Sequence, residues 1–320
     1  MTKQRQEGKL TIHTTKEQIP TTLHKLIHKS FLKATTTCTS TENNNNNKKC
    51  TFHIALSGGS LPSFLTTLPQ SFIDAKIDPQ WDKWHILLAD ERCVPSTNQD
   101  SNLRSIKRHF LDAVPQIPQH QIYGINEDLL FDHGKNVSEN DSIEQVDAIA
   151  SDYQSRVFQT LDDTQDNNNN ENKEKKKEFL IDCALLGFGP DGHTCSLFPN
   201  HPLLQENTLL VAGIHNSPKL PPKRITLTLK ALNQYTRDVI FVGAGESKSP
   251  ILKSIFHSVI YSHDDDDDDI KTYNVTMQND DDVIYPCGMI RPISNSLHYV
   301  TDVSATETLT LHKRFTCAML

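Results

Sequence analysis

Hydrophobic residues recur along this chain in two spacings, and the two spacings alternate. Short continuous apolar runs are typical of buried strands, whereas apolar residues repeated every three or four positions are typical of amphipathic helices. The apolar runs predict strands at residues 51–57, 84–89, 179–187, 209–213, 224–229 and 239–243. The helical spacing predicts helices at residues 18–35, 62–68, 101–111, 143–161, 249–258 and 303–314.

This alternation predicts an α/β protein with a Rossmann-like, mostly parallel sheet and helices on both faces. We expect residues 1–320 to form a single domain. Three low-complexity runs, at residues 35–49, 162–178 and 262–282, interrupt the pattern. Because such polar runs cannot bury enough apolar surface to offset chain entropy, we expect them to be disordered loop insertions.

Charge and cysteine usage narrow the class of protein. The net charge is −8, but without the nine aspartates at 264–269 and 280–282, 31 acidic residues face 32 Lys and Arg. No basic patch is interleaved with aromatic residues, which argues against a nucleic-acid partner. The chain has no apolar run of membrane-spanning length and no signal-peptide core at its start, so we expect no membrane partner. Seven cysteines without a C-x-x-C pair favour a reduced compartment, and we expect a cytoplasmic location.

A carboxylate and an imidazole follow the apolar run at 179–187. Asp191 and His193 are two residues apart in a turn that is rich in glycine. Open α/β sheets bind ligands at the carboxyl ends of their strands, and a histidine beside a carboxylate is suited to act as a general base. The segment also fits an ordinary strand-ending turn with an incidental histidine, and this alternative stays open.

Residues 187–192 of the same turn match the dinucleotide-binding pattern G-x-G-x-x-G. The context of that pattern is missing, because the turn does not open a βαβ unit at the start of a domain. Pro190 also lacks the N–H group that a phosphate turn would use. The sequence therefore disfavours a dinucleotide cofactor.

A second group of residues predicts an anion site. Gly58, Gly59 and Ser60 follow a predicted strand, where backbone N–H groups can hold an anion. Arg224 opens a predicted strand and Lys248 follows another, so both can reach the same edge of the sheet. A phosphate monoester needs this mixture of backbone donors and cations. Taken alone, each of these residues fits a structural role better than a functional one: a tight turn, a surface charge or a first-turn lysine.

Three charged residues, Asp90, Glu91 and Arg92, end a buried strand, which is typical of a pocket. Arg92 can pair with its acidic neighbours or bind substrate, and Asn102 is a candidate for shaping the same pocket.

A pair of histidines predicts no chemistry. His24 and His28 have metal-ligand spacing but no third ligand, so a solvated helix face is favoured over a metal site.

Five ordered segments give the chain its resemblance to a known family. They read ALSGGSLP (55–62), LLADERCVP (87–95), GFGPDGHTCSLFPNHP (187–202), SPKLPPKRITLTLKALN (217–233) and VGAGESK (242–248), and a weaker match covers 286–305. Together they resemble the 6-phosphogluconolactonases, which are grouped with the glucosamine-6-phosphate deaminases. The deaminases carry Asp-Glu-Tyr at the position of 90–92 and Ala-Phe-Asn-Glu-Pro at that of 195–199, so this chain follows the lactonase pattern at both places. The family usually has a small residue at position 195, so we expect Cys195 to be a packed free thiol.

The resemblance implies hydrolysis of 6-phospho-D-glucono-1,5-lactone to 6-phosphogluconate, in the oxidative pentose phosphate pathway, without a metal or organic cofactor. It implies that His193 is the general base, that Asp191 orients it and that Arg92 stabilises the oxyanion. Phosphate recognition then falls to the residues of the predicted anion site, namely Gly58, Gly59, Ser60, Arg224 and Lys248. The partner is a small phosphosugar lactone, and the chain is expected to be a monomer or a weak homo-oligomer. Two alternatives stay open, an amino-sugar-phosphate deaminase or isomerase and a non-catalytic paralogue that binds or regulates.

Overall fold

An eight-stranded sheet is the frame of the protein in the computed structural model, which describes residues 6–36, 50–130, 139–162, 180–262, 269–279 and 282–311. The strands are β1 (Glu7–His13), β2 (Phe52–Leu56), β3 (Trp84–Leu88), β4 (Asp90–Arg92), β5 (Ile181–Gly187), β6 (Val211–Ile214), β7 (Arg224–Leu227), β8 (Thr236–Gly243), β9 (Phe256–Tyr261), β10 (Ile270–Met277) and β11 (Ser296–Asp302). The α-helices are α1 (Ile19–Thr36), α2 (Leu68–Asp74), α3 (Asn102–His109), α4 (Glu139–Asp162), α5 (Leu229–Gln234), α6 (Ser249–Ile255) and α7 (Pro286–Met289). Short 3-10 helices include Lys16–Gln18, Leu61–Leu65 and Val303–Thr306.

The strand order of the large sheet is β3-β2-β5-β8-β11-β1-β10-β9. The first six strands in this order run parallel to one another, whereas β10 and β9 are antiparallel to their neighbours. A small antiparallel sheet has the order β4-β7-β6. The predicted α/β class with a mostly parallel sheet is confirmed.

The hydrophobic residues whose spacing predicted α1 form the buried face of this helix. Ile19, Leu23, Ile27 and Phe31 are fully buried, and the helix packs on the central strands β2, β5, β8 and β11. Phe31 stacks on Trp84 at a centroid distance of 5.7 Å within a cluster of aromatic rings. Truncating a buried aromatic side chain of this kind to alanine costs about 3–5 kcal/mol, so this cluster anchors the first half of the sheet.

Two strands lie where the sequence predicted none, and a third lies in a predicted insertion. β1 was not predicted, yet it sits in the sheet between β11 and β10, and β11 was read only as part of a weak motif. The prediction of a disordered insertion over 262–282 is wrong for 270–277, because Tyr273, Val275 and Met277 alternate into the core as part of β10. Asp-rich runs on either side concealed this alternation. Residues 263–268 and 280–281, and most of the insertions predicted at 35–49 and 162–178, lie outside the described residues.

Four predicted elements need correction. The strands predicted at 209–213 and 224–229 belong to the small antiparallel sheet, as β6 and β7, rather than to the parallel sheet. The helix predicted at 249–258 ends at Ile255, because Phe256 begins β9. Of the helix predicted at 303–314, the described part contains only the 3-10 turn Val303–Thr306, which Asp302 caps by accepting a hydrogen bond from the N–H of Ala305.

The parallel strands bring the predicted motifs to one edge of the sheet. β2, β3, β5 and β8 are neighbours or near neighbours, and the segments that follow them carry residues 57–60, 90–92, 188–193 and 244–248. Carboxyl ends of parallel strands form the usual ligand crevice of open α/β sheets. None of the described helices combines the length and the hydropathy needed to cross a bilayer.

Candidate active site

The turn after β5 holds a carboxylate against an imidazole. The N–H of Gly189 donates to the carbonyl of His193 at 2.9 Å, and the N–H of Gly192 donates to the carbonyl of Gly189 at 3.0 Å. Gly192 has a φ of +79°, a conformation that favours glycine. This tight turn brings Oδ1 of Asp191 into hydrogen-bond contact with Nδ1 of His193.

The surroundings of His193 favour a neutral imidazole beside an ionised carboxylate. Its ring stacks on Phe198 at 5.0 Å, and burial lowers the pKa of His193 although Asp191 opposes the shift. Burial alone would raise the pKa of Asp191, but hydrogen bonds and charges from His193 and Lys219 outweigh it and hold that pKa at about 2. Because an ionised carboxylate only accepts, its contact favours a proton on Nδ1, which leaves Nε2 as the basic nitrogen.

A cavity of about 370 Å³ opens beside this turn. Seven of the eight predicted site residues line it, and the eighth, Asp191, contacts His193 from outside the lining. The lining residues that the sequence predicted are Gly58, Gly59, Ser60, Arg92, His193, Arg224 and Lys248. The structure thus brings together the predicted base and the predicted anion site.

The charged residues of the cavity wall are mostly cations. Arg92, Arg224 and Lys248 line it together with Lys16, whereas Asp90 is the acidic residue among the described lining residues. Sequence reasoning missed Lys16, because it lies in a 3-10 helix after the unpredicted strand β1 and in none of the recognised segments. The excess of positive charge suits a ligand that carries a phosphate.

Arg224 is buried, and most of its hydrogen bonds go to one loop. Its Nε donates to the carbonyl of Pro221 at 2.8 Å, and its Nη2 donates to the carbonyls of Lys219 and Leu220 at 2.8 and 3.0 Å. Its Nη1 lies 3.5 Å from Oγ of Ser196. Arg224 therefore shapes the loop at 217–222 as well as presenting charge to the cavity.

Arg92 and Glu91 have different surroundings although they are adjacent. Nη1 of Arg92 donates to the carbonyl of Asp100, and its buried Nε has no hydrogen-bond partner among the described residues. Glu91 is turned away from the cavity and accepts four hydrogen bonds, from the N–H groups of Arg92, Asn102 and Leu103 and from Oγ of Ser101. Burial raises the pKa of Glu91 to about 7 against these bonds. The expectation that all three charges at 90–92 belong to the pocket is wrong for Glu91, which holds the start of α3.

Asn102 shapes the cavity through Asp90 and Gly58. Its Nδ2 donates to the carbonyl of Asp90 at 2.8 Å, and Oγ of Ser196 donates to Oδ2 of Asp90 at 2.8 Å. A Cβ at position 58 would lie 1.8 Å from Oδ1 of Asn102, so only glycine fits there. The backbone N–H groups of Gly58, Gly59 and Ser60 have no hydrogen-bond partner in the part of the chain that the structure describes. These donors can hold an anion, as the sequence predicted.

Lys248 reaches back over the turn that follows β5. Its Nζ donates to the carbonyl of Phe188 and lies 5.4 Å from the centre of that ring. Burial and the nearby charge of Lys219 lower the pKa of Lys248. The ammonium is therefore fixed at the cavity wall within reach of a ligand.

Three residues outside this set were also predicted. Cys195 is a buried free thiol as expected, and burial raises its pKa, which disfavours a thiolate nucleophile. The solvated face predicted for His24 and His28 is wrong, since both are buried and their Nε2 atoms bond to the carbonyl of Phe64 and to Oγ of Ser71. No cluster of three or more His, Cys, Asp or Glu residues suited to a metal occurs among the described residues.

Comparisons with known proteins agree with the fold and the motifs. Residues 28–293 match the model of the family described as glucosamine-6-phosphate isomerases/6-phosphogluconolactonase. The chain is 32% identical over 260 residues to a human 6-phosphogluconolactonase, covering 81% of each chain. It is 37% identical over 214 residues to 6-phosphogluconolactonase 3 of Saccharomyces cerevisiae, covering 65% of this chain and 73% of the relative. The solved 6-phosphogluconolactonase of Trypanosoma cruzi has the same fold, with a TM-score of 0.66 at 20% identity over 97% of this chain and all of the other. This protein belongs to the glucosamine-6-phosphate isomerase/6-phosphogluconolactonase family.

Proposed function

We propose that this protein hydrolyses 6-phospho-D-glucono-1,5-lactone to 6-phosphogluconate, a step of the oxidative pentose phosphate pathway. The observation that carries the proposal is the Asp191–His193 pair at the wall of a cavity that four cations also line. Two relatives that are 32% and 37% identical bear the name 6-phosphogluconolactonase. A base next to a phosphate site is the arrangement that opening a phosphorylated lactone requires.

His193 activates the attacking water in this account. Its Nε2 takes a proton from water as the oxygen attacks C1 of the lactone, which gives a tetrahedral oxyanion. When the oxyanion collapses, the bond between C1 and the ring oxygen breaks and Nε2 returns the proton to that oxygen. Asp191 stabilises the imidazolium between the two steps, because it already accepts the Nδ1–H. Atoms balance, since one water is added across one ester bond.

The oxyanion needs a donor that is in place before the reaction. Arg92 is suited to this role, since its Nε is buried without a hydrogen-bond partner among the described residues and its side chain lines the cavity. Satisfying a buried donor only when negative charge develops favours the transition state over the ground state. We therefore assign Arg92 to the carbonyl end of the substrate.

The 6-phosphate is held at the opposite end of the substrate by Ser60, the N–H groups of Gly58 and Gly59, Lys248 and Arg224. These residues line the same cavity as His193. Binding energy from the remote phosphate then positions the lactone ring for attack. The mechanism calls for no metal or organic cofactor.

The family name also covers glucosamine-6-phosphate isomerases, so the test runs both reactions. Purified protein is given freshly generated 6-phosphogluconolactone, and acid release is compared with the spontaneous rate. A parallel sample receives glucosamine 6-phosphate, and ammonia release is measured. Enzymatic lactone opening without ammonia release is the expected result. Ammonia release, or no rate above background with either substrate, would overturn the proposal in favour of a deaminase or a non-catalytic paralogue.

We further propose a cytoplasmic location, which the free thiols of the five described cysteines favour. Relatives differ in this respect, since one from Oryza sativa is named chloroplastic. For the assembly we propose a monomer or a weak homo-oligomer. Light scattering of the purified protein at two concentrations tests the assembly, and fractionation of cells tests the location.

A further inference from the structure

Lys219 contacts both members of the Asp191–His193 pair. Its Nζ is 3.1 Å from Oδ2 of Asp191 and 3.1 Å from Nδ1 of His193. No role was assigned to this lysine by the motifs, and it is not among the residues that line the cavity. The inference drawn from it rests on the proposed function, in which Nε2 of His193 is the base.

The backbone that carries Lys219 is fixed on several sides. Oγ of Ser217 donates to the carbonyl of Lys219 at 2.9 Å, and it accepts a hydrogen bond from the N–H of Lys219 at 3.2 Å. The guanidinium of Arg224 donates to the carbonyl of Lys219 at 2.8 Å and to those of Leu220 and Pro221. The ammonium therefore reaches the Asp191–His193 pair from an ordered loop.

Nδ1 of His193 has two competing neighbours. The ionised carboxylate of Asp191 only accepts, so it requires a proton on Nδ1, whereas the ammonium of Lys219 only donates and requires a lone pair there. The two neighbours thus favour opposite tautomers, and only a protonated Nδ1 leaves Nε2 basic. The conflict is resolved if the ammonium bonds to Oδ2 instead, because Oδ1 then keeps the Nδ1–H.

We propose that Lys219 is a positioning residue that holds Oδ2 of Asp191, so that Oδ1 fixes His193 in the tautomer with a basic Nε2. The same loop links the base to the phosphate site, because Arg224 lines the cavity and binds the carbonyl of Lys219. Without the ammonium on Oδ2, the carboxylate is expected to rotate away from Nδ1, and the loss of that contact then mixes the two tautomers. Because Lys219 is not among the residues that line the cavity, we expect the affinity for the substrate to stay unchanged.

The charged groups around His193 set the direction of the accompanying pH effect. Asp191 and Asp90 favour the imidazolium, whereas Lys219 disfavours it, and Lys219 in turn faces Lys248. Loss of the Lys219 charge therefore moves the pKa of His193 upward. The acid limb of kcat/KM follows it to higher pH.

The experiment compares Lys219→Met, which keeps length but removes charge, with Lys219→Arg, which keeps charge. Lys253→Met is the control for net charge, because Lys253 is exposed on α6 and is not among the residues that line the cavity. The tautomer of His193 is read from ¹⁵N chemical shifts of the resting protein, with the signal assigned by its loss in His193→Gln. Steady-state kinetics with the lactone give kcat, KM and the pH profile.

The expected result has a protonated Nδ1 in the wild type and a mixed state in Lys219→Met. In that variant kcat falls about 10-fold at unchanged KM, well short of the ~10²–10⁴-fold loss expected for removing a general base. Lys219→Arg restores kcat and the acid limb, and Lys253→Met changes neither. An unprotonated Nδ1 in the wild type, or a Lys219→Met protein with unchanged tautomer and kcat, would overturn the proposal. The spectra need no substrate, so a missing lactonase activity would refute the function without deciding the role of Lys219.

Discussion

Gly189 and His193 face each other across one turn, and the imidazole of His193 occupies the space that a Cβ at position 189 would need. The N–H of Gly189 donates to the carbonyl of His193 at 2.9 Å. A Cβ at position 189 would lie 2.1 Å from both Nδ1 and Cε1 of the imidazole and 2.3 Å from Oδ1 of Asp191. The absence of a side chain at 189 therefore leaves room for the Asp191–His193 pair.

Gly189→Ala is expected to displace the imidazole and to lower kcat strongly, because contacts below 3 Å force the ring to move. Circular dichroism and a melting curve would check that the variant is folded. A double-mutant cycle with His193→Ala isolates the cause. If Gly189→Ala acts by displacing the imidazole, it lowers kcat little further in the His193→Ala background. A full additional loss in that background would show that Gly189 acts elsewhere.

The pH profile of the wild type tests the protonation state of His193. Burial lowers the pKa of His193 below the ordinary 6.5, so the half-maximal point of the acid limb of kcat/KM is expected below pH 6.5. Asp191→Asn removes a carboxylate that favours the imidazolium, so the limb moves to still lower pH. Its kcat falls by roughly 10²-fold or more, because the carboxylate that selects the tautomer is gone. An acid limb of kcat/KM with its half-maximal point above pH 7, or one that Asp191→Asn does not move, would contradict the assignment of His193 as the base.

Much of this site was predictable from sequence, because its parts are strand-ending motifs. Residues that follow parallel strands meet at one edge whatever their sequence separation, and this placed His193 with Ser60 and Lys248. The direction of a side chain was not predictable. Glu91 follows a strand as Asp90 does, yet it turns to the N–H groups at the start of α3. Lys219 was inside a recognised segment, but only the loop held by Arg224 shows what it touches.

Lys248→Ala and Arg224→Ala are expected to differ, although both residues line the cavity. Lys248→Ala should raise KM for the phosphorylated lactone roughly 10- to 100-fold, which corresponds to the loss of one charged hydrogen bond. The KM for unphosphorylated gluconolactone should change much less. Kinetics with both lactones measure this contrast. Equal losses on the two substrates would point to a structural role for Lys248.

Arg224→Ala should raise the same KM and also destabilise the protein. Its guanidinium is buried and donates to the carbonyls of three consecutive residues, 219–221. Its loss leaves the carbonyls of Leu220 and Pro221 without this donor, whereas that of Lys219 keeps Oγ of Ser217. We expect a decrease of about 2–4 kcal/mol in the free energy of unfolding, measured by urea denaturation. Because the loop carries Lys219, kcat is expected to fall as well. An unchanged unfolding curve would contradict this part of the account.

The outer strands of the sheet show where sequence reasoning failed. β1 has seven residues, but its apolar residues Leu10 and Ile12 stand among polar ones. β10 alternates correctly for a strand but lies between two Asp-rich runs, so composition over a wide window hid it. Both strands are stabilised by neighbours that are distant in sequence, as when Leu10 pairs with Tyr273. Local patterns carry no information on such partners.

Replacing residues 264–268 with a Gly-Ser linker of equal length is expected to leave activity unchanged. In the sequence the run lies between β9 and β10, and these two strands form the edge of the sheet farthest from β3, whereas the cavity lies around β2, β5 and β8. Asp269 is kept, because its carbonyl accepts a hydrogen bond from the N–H of Thr14 at 3.3 Å. The melting temperature should shift by less than about 2–4 °C, since loop composition changes closure entropy little. Loss of folding or of activity would show that the acidic run packs against the site.

The turnover of His193→Gln on freshly generated 6-phosphogluconolactone tests the central claim most directly. Glutamine keeps the bulk and polarity of the side chain but cannot take a proton from water. The account predicts that kcat falls by about 10²–10⁴-fold with a similar KM, in a protein that melts near the wild-type temperature. Turnover within about 3-fold of the wild type in a folded variant would remove His193 from the mechanism and contradict the account.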